Sequence, residues 1–368
     1  MNVVITNDAM DIAGGENHAL YVANGLREEG HNIILCPLEN SMLFHESVRQ
    51  GFETIAVPYC SGGKQFFRAI NIMEKELKDK KINIIHSNTN SDRTISAIAA
   101  RKLKCKNITT VHSCQSIRHN ILHWYRNKYL INHFIADGYS SKKILTEKDK
   151  IPENKVTVIH TGIPDSAVQF SEEKRKSTRN KLNISSDDIV IGIVARLVDF
   201  KGINILIDSL KIINERYNIN NVKLLIVGDG ILRGELEQQS ERLNLKNEII
   251  FTGFRNDLDN CLSAMDIYTQ PSLEMNAELF PLSALLAKSA GLPLIVSDIG
   301  DLKYLVKDNS DGFVINPGDA DILAKKLISI IKNKELRKDM GKKSLENYKQ
   351  NFTLKNMIQK ILSVYSKI

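Results

Sequence analysis

The sequence predicts an α/β protein made of two parallel-sheet halves. Short β-branched runs alternate with longer helical patterns along all 368 residues. Many of these runs are apolar throughout, as strands covered on both faces of a parallel sheet must be. A polar stretch near the middle, "PDSAVQFSEEKRKSTRNKLNISSDD", interrupts the rhythm, which then restarts. A chain of this length exceeds one small core and suits two domains, each with its own.

In order, "MNVVIT" reads as the first strand and "GG" as a loop into the helix "ENHALYVANGLREEG". The strands "NIILCP" and "ETIAVP" follow, then a helix around "RAINIMEKELKDK" and the strand "INIIHS". The helix "RTISAIAARKLK" leads to "NITTVHS", and "HFIADG" and "KVTVIHTG" complete the first half. The polar stretch is the expected junction, with a short helix in its middle. Beyond it come "IVIGIVAR", a helix from Gly202, "VKLLIVGDG", the helix "LRGELEQQSERLN", "EIIFTG", "MDIYTQPS", a helix from Pro281, and "LPLIVS". "GFVINPGDADILAKKLISIIKN" adds a strand, a Pro-Gly turn and a helix capped by Asp319. Two such halves place a ligand in the cleft between them, facing the carboxyl ends of the strands.

Composition narrows the function classes. With 42% hydrophobic and 25% charged residues the chain is an ordinary globular protein, with no apolar run long enough for a transmembrane span. The first residues read as a strand and not as a signal peptide. Five scattered cysteines without a CxxC pair favour reduced thiols in the cytoplasm over disulfides or zinc. A formal charge of +7 suits an anionic substrate or the inner face of a membrane. Nucleic-acid binding is not expected, since the lysines are spread over surface helices and no binding motif is present. The segment "SIRHNILHWYRNKYLINHF" mixes Arg118, Arg126 and Lys128 with Ile117, Trp124, Tyr125 and Tyr129. It reads either as an amphipathic helix at an anionic lipid surface or as a surface helix packed on its own sheet.

Several strand ends carry chemistry. In "GIVARLVDFKG" the cations Arg196 and Lys201 flank one strand-to-helix loop, beside a helix N-terminus that also attracts anions. A planar guanidinium and a mobile ammonium together suit a diphosphate, although two solvated surface cations would read the same way. "VGDG" supplies Gly228, Asp229 and Gly230, either a ligand-approaching turn or a plain tight connection. Gly14-Gly15 opens a helix in the other half, without the GxGxxG spacing of a dinucleotide site. In "ELFPLSALL", Pro281 suits the first helical turn and the amides near Leu279, Phe280 and Leu282 are open to a phosphate or sugar. Glu278 at that mouth either accepts sugar hydroxyls or only complements the helix dipole, worth about 0.3–1 kcal/mol. His86 and His112 end two strands of the first half, and His160 lies next to the junction. No histidine cluster has metal-ligand spacing and no Asp-x-Asp ends a strand, so neither metal nor cofactor is expected.

Taken in order, these pieces resemble the retaining GT-B glycosyltransferases of family 4, the "glycosyl transferases group 1". The matching residues are Gly14-Gly15-Glu16, "TVHS" at His112, "ARLVDFKG", "VGDG", "FTGF" and "ELFPLSALLAKSAGLPLIVSD". The resemblance implies two Rossmann-like domains facing a cleft (GT-B), over residues 1–165 and 166–349. It also implies a helix over residues 350–368 that crosses back to the first domain. It implies transfer of a sugar from a nucleotide-diphosphate donor, UDP- or GDP-linked, to a glycan or lipid-linked acceptor. Arg196 and Lys201 then hold the diphosphate, Glu278 and His112 lie at the donor sugar, and Gly15 faces diphosphate and acceptor. Phe254 and Arg255 fall where the family holds the base, and Gly14, Glu16, His86 and Asn88 are candidates on the acceptor side. The chain departs from the family at Leu286, where a second glutamate normally grips the ribose. Loss of that charged hydrogen bond costs on the order of 1.5–3 kcal/mol, and Glu274 is a nearby substitute. The departure keeps open a sugar-nucleotide-binding protein without transfer activity. A sugar-nucleotide epimerase of the same architecture matches less well. The expected location is the cytoplasm, with peripheral contact at the inner face of the membrane.

Overall fold

The computed structural model describes residues 1–11, 14–60, 62–273 and 278–368. The chain divides into two compact units, Met1–Gly162 with Leu354–Ile368, and Ile163–Thr353. These limits lie within a few residues of the expected boundaries at 165 and 349. The polar stretch belongs to the second unit, because its helix Glu172–Lys181 is anchored there. Arg175 and Arg179 of that helix both pair with Asp266, at 2.6 and 2.7 Å.

In the first unit seven parallel strands form one sheet: β1 (Asn2–Asn7), β2 (Asn32–Pro37), β3 (Glu53–Thr54), β4 (Ile84–Ser87), β5 (Lys106–Val111), β6 (His133–Ala136) and β7 (Val156–Val158). Their order is β3-β2-β1-β4-β5-β6-β7, with Val3 paired to Ile33 on one side and Ile84 on the other. The order reverses between β1 and β4, and loops leaving those two strands part there to leave a crevice. One face of the sheet is closed by the C-terminal helix Leu354–Lys367, whose Met357, Ile358, Ile361 and Val364 share a buried cluster with Val3 and Ile5. The expected return of the last helix to the first domain is therefore what the chain does. Helix Gly14–Glu28 lies against it at Gly25, where a Cβ would stand 2.4 Å from Ile358 Cγ1.

The second unit holds a six-stranded parallel sheet: β8 (Ile189–Val194), β9 (Val222–Val227), β10 (Ile249–Phe251), β11 (Ile267–Gln270), β12 (Leu294–Ser297) and β13 (Gly312–Ile315). The order β10-β9-β8-β11-β12-β13 reverses between β8 and β11. All the strands expected from the sequence are present. Three short helices were not anticipated, Met42–Arg49, Tyr139–Lys143 and Leu258–Ala264, nor was the long, largely polar helix Lys334–Asn351. The segment read as one amphipathic helix is a single helical turn and a half, Ile121–Tyr125, running into a π-turn, Arg126–Leu130.

Candidate active site

In the second unit the predicted residues gather where the strand order reverses. β8 ends at Val194, and Arg196 follows, exposed, its side chain without a hydrogen bond or ion pair among the described residues. The chain then makes a 3-10 turn, Asp199–Lys201, and enters helix Ile203–Tyr217 through Gly202. Gly202 has φ +65°, and a Cβ there would lie 2.0 Å from Pro271 O, so both conformation and space demand glycine. This turn carries Lys201 to the end of β11. Its Nζ donates to both oxygens of Glu278, at 2.8 and 2.6 Å.

Glu278 is only 3% exposed. Burial pushes its carboxyl above the ordinary carboxylate range, while Lys201 and then Arg196 pull it back. Gln270 Nε2 also reaches Oε1, at 3.4 Å, and donates to Ser272 Oγ at 3.0 Å. Tyr268 hydroxyl joins Gln270 Oε1 to Ser283 Oγ, 3.0 Å from each. A buried polar chain thus runs from Lys201 to the first turn of helix Leu282–Ser289. Sequence reasoning passed over Tyr268, Gln270 and Ser283. The signal was "YTQPS", whose polar residues close an otherwise apolar strand.

Pro281 is the residue before that helix, with φ −65° and ψ 123°, and not in its first turn. Leu279 is half-buried and Phe280 is buried against Phe352, ring centroids 5.5 Å apart. Leu282 opens the helix; the Ala284 and Leu285 amides donate to Pro281 O, at 3.0 and 3.3 Å, which leaves the Leu282 and Ser283 amides open to a ligand. Leu286 is half-buried on the same helix. Glu274, the suggested substitute for the missing glutamate, lies outside the described residues.

The glycines of "VGDG" have a packing role. A Cβ on Gly228 (φ +135°) would meet Ala195 O at 1.9 Å, and one on Gly230 would meet Leu197 O at 2.5 Å. The backbone they let in is that of the Arg196 loop, fixed by Leu197 N to Asp229 O at 3.0 Å. Asp229 accepts from the Gly230 amide at 2.8 Å and lies 3.6 Å from Arg233. Phe254 stands 77% exposed on the neighbouring turn, a free face for stacking. Arg255 is bound to both oxygens of Asp257, at 2.7 and 2.6 Å, and so braces helix Leu258–Ala264.

In the first unit a cavity of about 460 Å³ opens at the reversal between β1 and β4. Gly15, Glu16, Asn88 and His112 line it, with Asp8 and Arg93. Gly14 and Gly15 form the first turn of their helix and not a loop before it, with Glu16 buried behind them. His112 Nδ1 meets Asp137 Oδ2 at 3.1 Å, which fixes that nitrogen as the protonated one when the ring is neutral. Its Nε2 and Asn88 Oδ1 are buried without a hydrogen-bond partner among the described residues. Both are available to a ligand. Burial opposes the Asp137 charge, yet the His112 hydrogen bond and charge hold its carboxyl below the ordinary value. Asp137 also accepts from Thr161 at 2.9 Å, and Thr161 meets His18 Nδ1 at 3.2 Å. Neither Asp137 nor His18 was singled out beforehand; "HFIADG" carries the aspartate just past a strand end.

His86 was expected on the acceptor side, and the structure corrects this. It is fully buried, does not line the cavity, and spends both ring nitrogens on Tyr365 and Thr110, each at 2.7 Å. Burial, with His112 adding to it, lowers its pKa to about 3. It is a fastening for the C-terminal helix. His160 likewise meets the backbone, its Nδ1 2.9 Å from Asp137 O.

Two doubly wound sheets, each with polar groups at its reversal point, define a two-domain α/β protein with a candidate ligand site in each domain. Residues 12–167 match the family described as Glycosyltransferase Family 4, and residues 174–347 the family Glycosyl transferases group 1. The chain is 28% identical over 302 residues to an Escherichia coli protein, UDP-Gal:alpha-D-GlcNAc-diphosphoundecaprenol alpha-1,3-galactosyltransferase, covering 79% of this chain and 77% of that one. Its fold is shared with a glycosyltransferase from Rickettsia africae (TM-score 0.89, 22% identity, 100% of this chain and 98% of that one). It is also shared with Anabaena Alr3699/HepE in complex with UDP (TM-score 0.86, 20% identity, all of both chains). The chain belongs to the GT-B glycosyltransferases of family 4.

Proposed function

We propose that this glycosyltransferase retains anomeric configuration and needs no metal. Its donor is a UDP- or GDP-sugar, and its acceptor a glycan or lipid-linked glycan in cell-surface polysaccharide synthesis. The observation that carries this reading is the cation pair at the β8–β11 reversal, Arg196 open and Lys201 held on Glu278. When the bond from the sugar's C1 to the diphosphate breaks, negative charge collects on the leaving phosphate. Arg196 and Lys201 supply the countercharge that a metal would otherwise bring, in a site already organised before the donor enters. A donor diphosphate draws Lys201 off Glu278, and the released carboxylate accepts hydroxyls of the donor sugar. Phe254 offers its face to the base. His112 Nε2, oriented by Asp137, presents an acceptor to the sugar hydroxyls. Support also comes from the UDP named with the Anabaena structure and from the donor and lipid diphosphate named for the Escherichia coli relative.

No helix among the described residues is long and apolar enough to cross a membrane. Peripheral contact is the proposal, through Ile121 and Leu122, which are 71% and 74% exposed, and Lys128, whose Nζ lies 4.9 Å from the Trp124 ring centroid.

The test is incubation with UDP- and GDP-sugars and candidate acceptors, following release of nucleoside diphosphate, with and without EDTA. Release that depends on acceptor and survives EDTA is expected. Binding without turnover across acceptors would favour the sugar-nucleotide-binding reading that Leu286 motivates.

A further inference from the structure

A second cavity, of about 480 Å³, lies next to the first in the same unit. The two share Asn90, Ser91 and Arg93 in their walls, so one leads into the other. Their chemistry differs. The first is lined by the carboxylates Asp8 and Glu16 with Asn88 and His112, a lining suited to hydroxyl groups. The second has no carboxylate among its described lining residues and contains Arg93, Arg126, His119 and His123.

Its two arginines are buried, each 3% exposed. Neither has a carboxylate ion-paired to it among the described residues. Arg93 uses Nε on Thr109 and Nη1 on Asn90, at 3.0 and 3.1 Å, and its Nη2 has no hydrogen-bond partner among the described residues. Arg126 is held rigid by Asn127, Thr94 and the Ile117 carbonyl. Burial first and the neighbouring charge of Arg93 second lower the pKa of Arg126 to about 9, against the opposing pull of Asp149 and Asp92. Buried cations are normally paired. The charges of Asp92 and Asp149 partly compensate both arginines from outside the cavity wall, without an ion pair to either among the described residues, so the wall itself presents two cations to an anion. Beyond them the wall turns apolar, with Phe66, Phe67, Ile117 and Leu122; Phe67 and Leu122 are 65% and 74% exposed.

We propose that this cavity binds the diphosphate and first isoprenoid units of a lipid-linked acceptor. Arg93 and Arg126 hold the diphosphate, the Phe66–Phe67–Leu122 wall takes the chain, and the sugar projects past Arg93 toward His112 and Glu16. This assignment rests on reading the first cavity as the acceptor side of a glycosyltransferase, and it names the class of acceptor. Arg93 is the joint between the compartments, positioned where sugar and diphosphate are linked.

Trp124 is the chain's single tryptophan and follows the lining residue His123 in the chain, so its fluorescence is the signal to follow. The probes are farnesyl diphosphate, inorganic pyrophosphate and farnesol, titrated into the full chain with saturating UDP present to fill the donor site. Farnesyl diphosphate is expected to bind at least tenfold more tightly than either of the others. Arg93→Gln should weaken it tenfold or more, with its melting curve showing that it is folded. Phe67→Ser, on an exposed side chain, should weaken farnesyl diphosphate and leave pyrophosphate unchanged. Equal affinity for pyrophosphate or for farnesol, loss of the signal when UDP is added, or unaltered binding in both variants would each overturn the assignment. The readout needs no turnover. A protein inactive as a transferase but binding farnesyl diphosphate through Arg93 would refute the function and leave this site standing. Acceptor-dependent transfer without such binding would do the reverse.

Discussion

Lys201 and Arg196 were expected to act alike, and their surroundings make them different experiments. Arg196 is exposed and unpaired among the described residues, so Arg196→Ala removes a charge without disturbing the fold. Lys201 neutralises a carboxylate that is 3% exposed. Lys201→Ala leaves Glu278 buried without its ion-pair partner, with only the 3.4 Å contact from Gln270, a defect that typically costs about 3–5 kcal/mol. We expect both variants to lower kcat/KM by about 10²-fold or more, but only Lys201→Ala to lower the melting temperature. Lys201→Ala combined with Glu278→Gln should recover stability and not activity. Equal melting temperatures for the single variants, or near-normal transfer in either, would contradict the phosphate-clamp assignment. The cation pair was legible because two cations at a strand-to-helix loop are a local pattern. His86 was misread because its strand end looks the same as that of His112; only the sheet register and the returning C-terminal helix show that one faces a core and the other a cavity. The Lys201–Glu278 contact spans 77 positions, and no spacing rule connects residues so far apart.

At the scale of elements, the strands were readable because parallel strands buried on both faces are apolar without alternation. The short helices were not, since five to eight residues carry too few turns for a period to stand out. What fastens elements together was also hidden, as at Gly25, a glycine in mid-helix that alone looks like a weakness. Gly→Ala in a helix ordinarily gains about 0.5–1 kcal/mol. Here the new methyl would meet Ile358 at 2.4 Å, and overpacking costs about 1–3 kcal/mol, so Gly25→Ala should destabilise the first unit. Chemical denaturation should show the effect shrinking or reversing in an Ile358→Ala background; an equal effect in both would exclude the clash. A pH dependence arises where β4 meets the C-terminal helix, at His86 against Tyr365. His86 has a folded pKa of about 3 against an ordinary 6.5, so between those values the unfolded chain binds the proton and the folded one does not. Stability is complete above pH 6.5 and falls with pH toward 3, by about 5 kcal/mol at the limit. His86→Phe should flatten this segment of the stability profile, whatever it costs at neutral pH, and an unchanged slope would count against it.

For the whole molecule, the chain repeats one solution in two units. Each sheet reverses its order once, between β1 and β4 and between β8 and β11, and each places its reactive groups on the loops that part there. On the proposed reading the two ligands belong to different units. Arg196, Lys201 and the first turn after Pro281 lie in the second, and His112 with the Arg93–Arg126 cavity in the first. A nucleoside diphosphate should therefore leave its strongest mark on the second unit. With UDP at about 100 times its dissociation constant the bound state gains about 2.7 kcal/mol. Amide exchange should slow most at 195–203, 228–232 and 279–285, the loop backbone around the clamp and the helix mouth. The amides of 107–111, in the middle of the first sheet, should exchange as before. Farnesyl diphosphate added afterwards should protect 90–94 and 117–126 without altering the first set. Protection by UDP confined to the first unit would move the donor site and undo the assignment of both. Protection by UDP as predicted, with none at 90–94 from farnesyl diphosphate, would keep the clamp and remove the lipid diphosphate from the cavity beside it.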